Sequence, residues 1–295
     1  MKRLLKWTAS AVATLALVLG ALLAVAWGHS ERALARTYAV ADPPLLVPTD
    51  EAGLALGRHL FDSRGCGECH GARGEGRLLF DGGPVIRVVP SNITPPAIDE
   101  RYGDDQLAAA IRHGVRADGT PLVFMPAGDY ADLGDADTAA LVAYIRTLPP
   151  SDNDPGPTEV RLGARVLNLF GAFPLTPAER IDHAPRTRSA PAVAATVEYG
   201  RYVAQLCTNC HGADFVGGLV HGPGAPPSAN LTPHPDALGG WSEADFVRAL
   251  REGVRPDGRQ LDPLMPVGMT AKMTDTELLA MWAFLRTLPA TPSRA

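Results

Sequence analysis

The sequence predicts an all-α protein, with two tandem helical domains following an N-terminal transmembrane helix. Three observations predict it. Residues 51–290 contain an internal repeat whose matched segments lie 138 to 143 positions apart. Each copy holds one Cys-x-x-Cys-His stretch, Cys66-Gly67-Glu68-Cys69-His70 and Cys207-Thr208-Asn209-Cys210-His211, and these contain all four cysteines of the chain. An uncharged run from Trp7 to Gly28 precedes both copies.

The Cys-x-x-Cys-His pattern reads as covalent attachment of a c-type haem. Two thiols one helical turn apart add to the two vinyl groups of one porphyrin, and the following imidazole faces the iron. The competing readings of Cys-x-x-Cys are half of a zinc site or a thioredoxin-like redox motif. Zinc needs four ligands brought together, and a redox motif has no use for the His. With no cysteine left over, no disulfide is expected.

A length of 295 residues accommodates two domains of about 100–150 residues each. The net charge of −5 and the lack of a basic patch give no sign of nucleic acid binding. The 27 Pro and 30 Gly point to loop-rich domains, as suits a small domain whose core is largely filled by a haem.

The chain opens with Lys2, Arg3 and Lys6. The uncharged run after them is long enough to cross a bilayer at about 1.5 Å per residue. His29, Glu31 and Arg32 close it, and the positive charges before it place the remainder of the chain outside the cytoplasm. Ala24-Val25-Ala26 resembles a signal-peptide cleavage site, but the length of the run and the flanking Trp7 and Trp27 favour a retained anchor. Residues 1–30 are thus an anchor or signal segment. Residues 31–50, with Pro43, Pro44 and Pro48, read as an extended linker lifting the first domain off the membrane.

The first domain covers 51–150 and the second 194–290. Gly57-Arg58 matches Gly200-Arg201 ahead of the cysteines; Asn92-Ile93-Thr94-Pro95 matches Asn230-Leu231-Thr232-Pro233; Met125-Pro126 matches Met265-Pro266. The stretches Arg112–Gly119 and Arg251–Gly258 share Arg-x-Gly-Val-Arg-x-Asp-Gly, and both copies end Leu/Ile-Arg-Thr-Leu-Pro. Each copy predicts an entering helix (50–64, 194–207), a middle helix (104–114, 242–253) and a closing helix (135–148, 274–288). Ser242-x-x-Asp245 and Thr274-x-x-Glu277 are capping boxes. Leu278, Met281, Trp282 and Leu285 form one apolar face of the last helix. Between the domains, 151–193 is a linker with one short helix, 161–173. Its apolar residues Leu162, Val166, Leu169 and Phe170 are expected to pack between or across the domains.

With His70 and His211 fixed as proximal ligands, each iron needs a sixth. Met125 and Met265 lie 55 and 54 residues beyond their histidines, both before Pro and both in the loop leading to the closing helix. A single Met is normally core filling; the matched position makes these two the expected ligands, and a Met thioether raises the reduction potential relative to a second His. His59, His113, His221 and His234 recur at no matched position and are read as surface or hydrogen-bonding residues. The proximal imidazoles need a backbone acceptor, sought in the Gly83-Pro84 and Gly222-Pro223 loops. Asn92 and Asn230 are candidates for a haem edge or a turn, and Trp241 for a propionate.

With these motifs the chain resembles the membrane-anchored dihaem c-type cytochromes of bacteria. It is also similar to the cytochrome c subunits of membrane-bound alcohol and gluconate dehydrogenases, which carry three haem motifs where this chain has two. The resemblance implies class I cytochrome c domains, His/Met ligation and two covalently bound haem c. It also implies an electron carrier on the periplasmic face of the cytoplasmic membrane, whose partners are a dehydrogenase, a terminal oxidase or both. The alternative of another class is a dihaem peroxidase-like enzyme, which needs one open iron position.

Overall fold

The computed structural model describes residues 2–220, 222 and 224–294. Helix α1 (Lys2–Leu34) contains the whole uncharged run and continues past it. The first repeat then forms α2 (Glu51–Ser63), α3 (Cys66–His70), the short strands β1 (Phe80–Asp81) and β2 (Ile86–Val88), α4 (Pro95–Ile98), α5 (Asp104–His113) and α6 (Asp135–Arg146). The linker adds β3 (Glu159–Val160) and α7 (Leu162–Leu169). The second repeat forms α8 (Val197–Ala204), α9 (Thr208–His211), α10 (Glu243–Glu252), α11 (Val267–Thr270) and α12 (Asp275–Leu285).

The expected helices form where their caps are encoded. Ser242 and Asp245 close a capping box at α10, and Thr274 and Glu277 close another at α12. The middle helices α5 and α10 both end on a left-handed glycine, Gly114 at φ 64° and Gly253 at φ 71°. In α12, Leu278, Met281 and Leu285 are buried as their spacing requires, and Trp282 is half-buried.

In each repeat the entering helix crosses the closing helix at a glycine. A Cβ on Gly57 would stand 2.0 Å from the Ala140 carbonyl oxygen, and one on Gly200 would stand 1.8 Å from that of Ala280. This close approach explains the matched Gly-Arg pairs read in the sequence. Around each crossing lies an apolar core: Leu60, Phe61, Leu107, Ile111, Leu141 and Ile145 in the first repeat, and Tyr199, Val203, Phe246, Leu250, Leu278 and Phe284 in the second.

The two repeats pack in a pseudo-two-fold arrangement. His59 of α2 reaches Glu277 in the first turn of α12 at 2.8 Å, and the matched Tyr202 of α8 donates to Asp137 in the first turn of α6 at 2.5 Å. Arg64, almost fully buried, adds an ion pair to Glu277 at 3.0 Å. Burial works to raise the Glu277 carboxyl. The hydrogen bond from His59, the Arg64 charge and the Thr274 N–H outweigh it and hold Glu277 at about 2.

The linker differs from its expected course. Strand β3 pairs with β2 to complete a small antiparallel sheet β1-β2-β3, and Ile86, Val88, Ala164 and Leu175 form a third apolar cluster on the outside of the first repeat. Helix α7 forms as predicted, shorter than 161–173, but packs on α1 and this sheet instead of between or across the domains. The segment after α1 is extended, yet it lies along the first repeat and does not stand clear of it. The Tyr38 N–H donates to the Gly119 carbonyl at 2.9 Å, Leu45 and Val47 pack on the first core, and Asp42 accepts from His113 at 2.9 Å and Arg188 at 2.6 Å.

Candidate haem sites

Both Cys-x-x-Cys-His stretches are short helical turns. α3 holds the first whole, and a 3-10 turn over Gln205–Cys207 running into α9 holds the second. Each ends at a glycine with positive φ, Gly71 at 87° and Gly212 at 80°, which turns the chain sharply away behind the His. The next loop is the same in both copies. The Gly76 N–H donates to the His70 carbonyl at 2.7 Å, and the Gly217 N–H to the His211 carbonyl at 2.8 Å. Side chains are excluded from these glycines, because a Cβ would come within 2.5 Å of Asn92 N and 2.4 Å of the Ala229 carbonyl.

That loop brings a backbone acceptor to each imidazole. His70 Nδ1 donates to the Ser91 carbonyl at 2.8 Å, and His211 Nδ1 to the Ala229 carbonyl at 2.7 Å. The acceptors are therefore not the Gly83-Pro84 carbonyls sought in the sequence. Gly83 and Pro84 instead serve Arg161 and the start of α7, while Pro223 and His221 lie outside the described residues. With Nδ1 engaged, Nε2 is the nitrogen presented for ligation. Burial pushes His70 below the usual imidazole value, against the Ser91 hydrogen bond that raises it, so the ring is neutral at pH 7 as a ligand must be.

The Asn-x-Thr-Pro elements explain how those carbonyls are held. Asn92 Oδ1 accepts from Thr94 N and Oγ1 at 2.9 and 2.7 Å, and its Nδ2 donates to the Ser151 and Asn153 carbonyls at 2.8 and 3.0 Å. Asn230 repeats the scheme with Thr232 N and the Thr291 carbonyl, both at 2.8 Å. Each Asn thus ties the peptide beside the proximal acceptor to the chain leaving the closing helix. Of the two roles considered, these bonds are those of a turn and strap. Trp241 packs half-buried against the second core.

Met125 and Cys66 border the same apolar cluster, and Met265 and Cys207 border its counterpart. The two methionine loops match in their bonding. The Ala127 and Val267 N–H groups donate to the Met125 and Met265 carbonyls, each at 2.8 Å, and Pro126 and Pro266 share φ near −79° and −78°. Met273 and Met281 are core residues. His59, His113 and His234 each have protein partners, as expected.

Burial, then the neighbouring Cys69, pushes Cys66 up to about 12; burial, then Asp129 and Cys210, does the same for Cys207. Among the described residues no cluster of three or more His, Cys, Asp or Glu is placed to hold a metal ion.

Residues 54–149 and 197–289 each match the cytochrome c family. The chain belongs to that family. As a tandem cytochrome c it carries two covalently bound haem c groups, one per repeat. It is 26% identical to the fructose dehydrogenase cytochrome subunit of Gluconobacter japonicus over 87% of this chain and 57% of that one. With a dihaem c-type cytochrome of Cereibacter sphaeroides it shares 30% identity over 84% of this chain and 90% of the relative. With the cytochrome c subunit of the quinone alcohol dehydrogenase of Gluconobacter oxydans it shares 39% over 30% of this cytochrome and 21% of that subunit. The chain therefore spans little more than half of the fructose dehydrogenase subunit and nearly all of the dihaem cytochrome.

The haem motifs of this cytochrome also face the boundary between its repeats. A Cβ on Gly65 would lie 2.9 Å from Met269 Sδ, and Glu68 pairs with Lys272 at 3.5 Å. Asp129, which matches Met269 in the repeat, lies within electrostatic reach of Cys207 and Cys210. Sequence reasoning did not find this mutual contact; its signal is the alignment of His59 with Tyr202 and of Glu277 with Asp137.

Proposed function

We propose that this cytochrome carries single electrons between a membrane-bound dehydrogenase and a respiratory acceptor, with its repeats on the periplasmic side of the cytoplasmic membrane and α1 as a retained anchor. The two haems, when bound, supply the ferric/ferrous couples. The chain holds them through thioether bonds at Cys66 and Cys69 and at Cys207 and Cys210, with His70 and Met125 as axial ligands in one repeat and His211 and Met265 in the other. The observation that carries this reading is the duplicated arrangement. In both repeats an imidazole is oriented by a backbone carbonyl, and a first cysteine and a methionine border one apolar core. With an imidazole and a methionine at each iron, both axial positions would be filled, as a carrier requires and peroxide chemistry does not. Dehydrogenase partners are supported by the names of the relatives.

The test is a redox titration with optical spectra on the wild type, Met125→Ala and Met265→Ala. Each variant is expected to lose the methionine-to-iron charge-transfer band of one haem and to lower that haem's potential, leaving the other unmoved. Unchanged spectra would remove the methionines as ligands. Rapid carbon monoxide or peroxide binding by the reduced wild type would replace the carrier by a peroxidase-like enzyme.

A further inference from the structure

Several large apolar residues of α7 and the turn after it are left uncovered by the protein. A helix on a soluble domain buries its apolar side. The buried residues of α7 are Ala164, Arg165 and Asn168. Leu162, Leu167 and Phe170 are left 44%, 39% and 67% exposed. These residues, with the half-buried Val166, lie opposite the buried side and carry no charge, and the exposed Gly171 and Ala172 continue them.

The buried side shows where α7 sits. The Arg165 guanidinium lies 3.8 Å over the Trp27 ring and bonds Ser30 Oγ and Glu31 Oε1, each at 2.7 Å. On α1 the covered positions include Leu22, half-buried, and Ala26 and Ser30, both buried, at i, i+4 and i+8, with Gly28 half-buried beside them. The rest of the apolar run is exposed. Protein cover on α1 therefore begins at Leu22, six residues before the uncharged run ends at Gly28, roughly 9 Å inside it at 1.5 Å per residue. That is the depth at which amphipathic helices lie in a bilayer surface. Trp27, against which Arg165 stacks, is the residue type that anchors at that level.

We propose that α7 is an interfacial membrane helix, with Leu162, Val166, Leu167 and Phe170 entering the outer leaflet of the bilayer beside α1. The occupant of this face is lipid, because the face is uncharged and continuous with the exposed apolar surface of α1. The inference rests on the reading of α1 as a retained membrane span. Its consequence is orientation: a domain tethered by one helix can swing, whereas one held by α1 and α7 together presents a fixed side to partners in the membrane.

The test uses the full-length holoprotein in nanodiscs of phosphatidylethanolamine and phosphatidylglycerol. The native cysteines are consumed by the haems, so an introduced cysteine is the one thiol open to a nitroxide label. Labels go at Phe170→Cys, at Leu167→Cys should the first fail to fold, at Leu15→Cys within α1, and at Val193→Cys, 70% exposed in the linker. Collision with oxygen, which partitions into lipid, is compared with collision with a water-soluble nickel chelate. The expected result is an oxygen-to-nickel ratio at positions 170 and 15 several-fold above that at 193. A high ratio at 15 with a low ratio at 170 leaves the anchor standing and overturns the interfacial helix. Protection of 170 from both reagents overturns it in favour of a protein occupant. A low ratio at 15 removes the anchor itself, and the interfacial helix with it.

Discussion

Phe124 and Leu264 occupy the same place in the two repeats, one residue before Met125 and Met265, and meet different surroundings. Phe124 sits at φ 68°, a costly conformation for a residue with a Cβ, and packs edge-on to Phe80 with ring centres 5.5 Å apart. Its N–H donates to the Leu175 carbonyl at 3.4 Å, and the linker cluster closes over it. Leu264 is 58% exposed. The haem-binding frame is thus duplicated, while its cover is not: the first methionine loop is roofed by the chain's own linker and the second faces water. Because exposure is one of the terms that set a haem's potential, the same proposed ligands need not give equal potentials. The ferric state, with its extra charge, is less favoured under the covered loop, so the first haem is expected to have the higher potential.

The boundary between the repeats is where the comparison breaks most sharply. His59–Glu277 and Tyr202–Asp137 are matched contacts, but Glu277 also compensates buried Arg64 and Asp137 has no such duty. Glu277→Gln is expected to cost about 3–5 kcal/mol in chemical denaturation by leaving the Arg64 charge uncompensated, against about 1 kcal/mol for Asp137→Asn. Equal losses would show that the two contacts are energetically equivalent. Next in size are Gly57→Ala and Gly200→Ala, expected to cost about 3 kcal/mol each because the new methyl meets a backbone carbonyl in a helix crossing. Following haem absorbance and circular dichroism in each variant shows whether one repeat unfolds without the other.

Acid should loosen the same boundary. Glu277 titrates at about 2 in the folded chain and at the ordinary 4.5 when unfolded, so the unfolded chain binds this proton first as pH falls. Its contribution, about 3 kcal/mol, is complete above pH ~4.5 and is lost on the way down to ~2. Glu277→Gln should flatten that part of the stability profile, and a profile of unchanged slope would contradict the assignment. The smallest expected effect concerns the roof. Phe80→Ala should lower the first potential toward the second by on the order of 50 mV, equivalent to about 1 kcal/mol for one electron, without moving the second.

Much of this was legible in the chain. The repeat, the haem-binding stretches and the capping boxes are local patterns, and local patterns survive translation into structure because they depend on neighbours a few residues away. The proximal acceptors were not legible. Ser91 and Ala229 contribute only carbonyls, which every residue has, and what distinguishes them is the adjacent Asn that straps the loop to the chain beyond the closing helix. Helix α7 was legible as a helix but not in its placement, since periodicity identifies an apolar side without saying what covers it.

Residue types at fixed short spacings are enough to set the number of haem domains, their order and the cofactor class, and to nominate the cysteines and histidines of each site. Folding in three dimensions was needed to make Glu277, read as a helix cap, also the acid that joins the repeats. It was needed as well to shelter one methionine loop under the linker and not the other, and to turn the apolar side of α7 outward. Those outcomes depend on contacts between segments up to about 220 positions apart, such as His59 with Glu277, where burial and packing choose among partners that local sequence leaves equivalent.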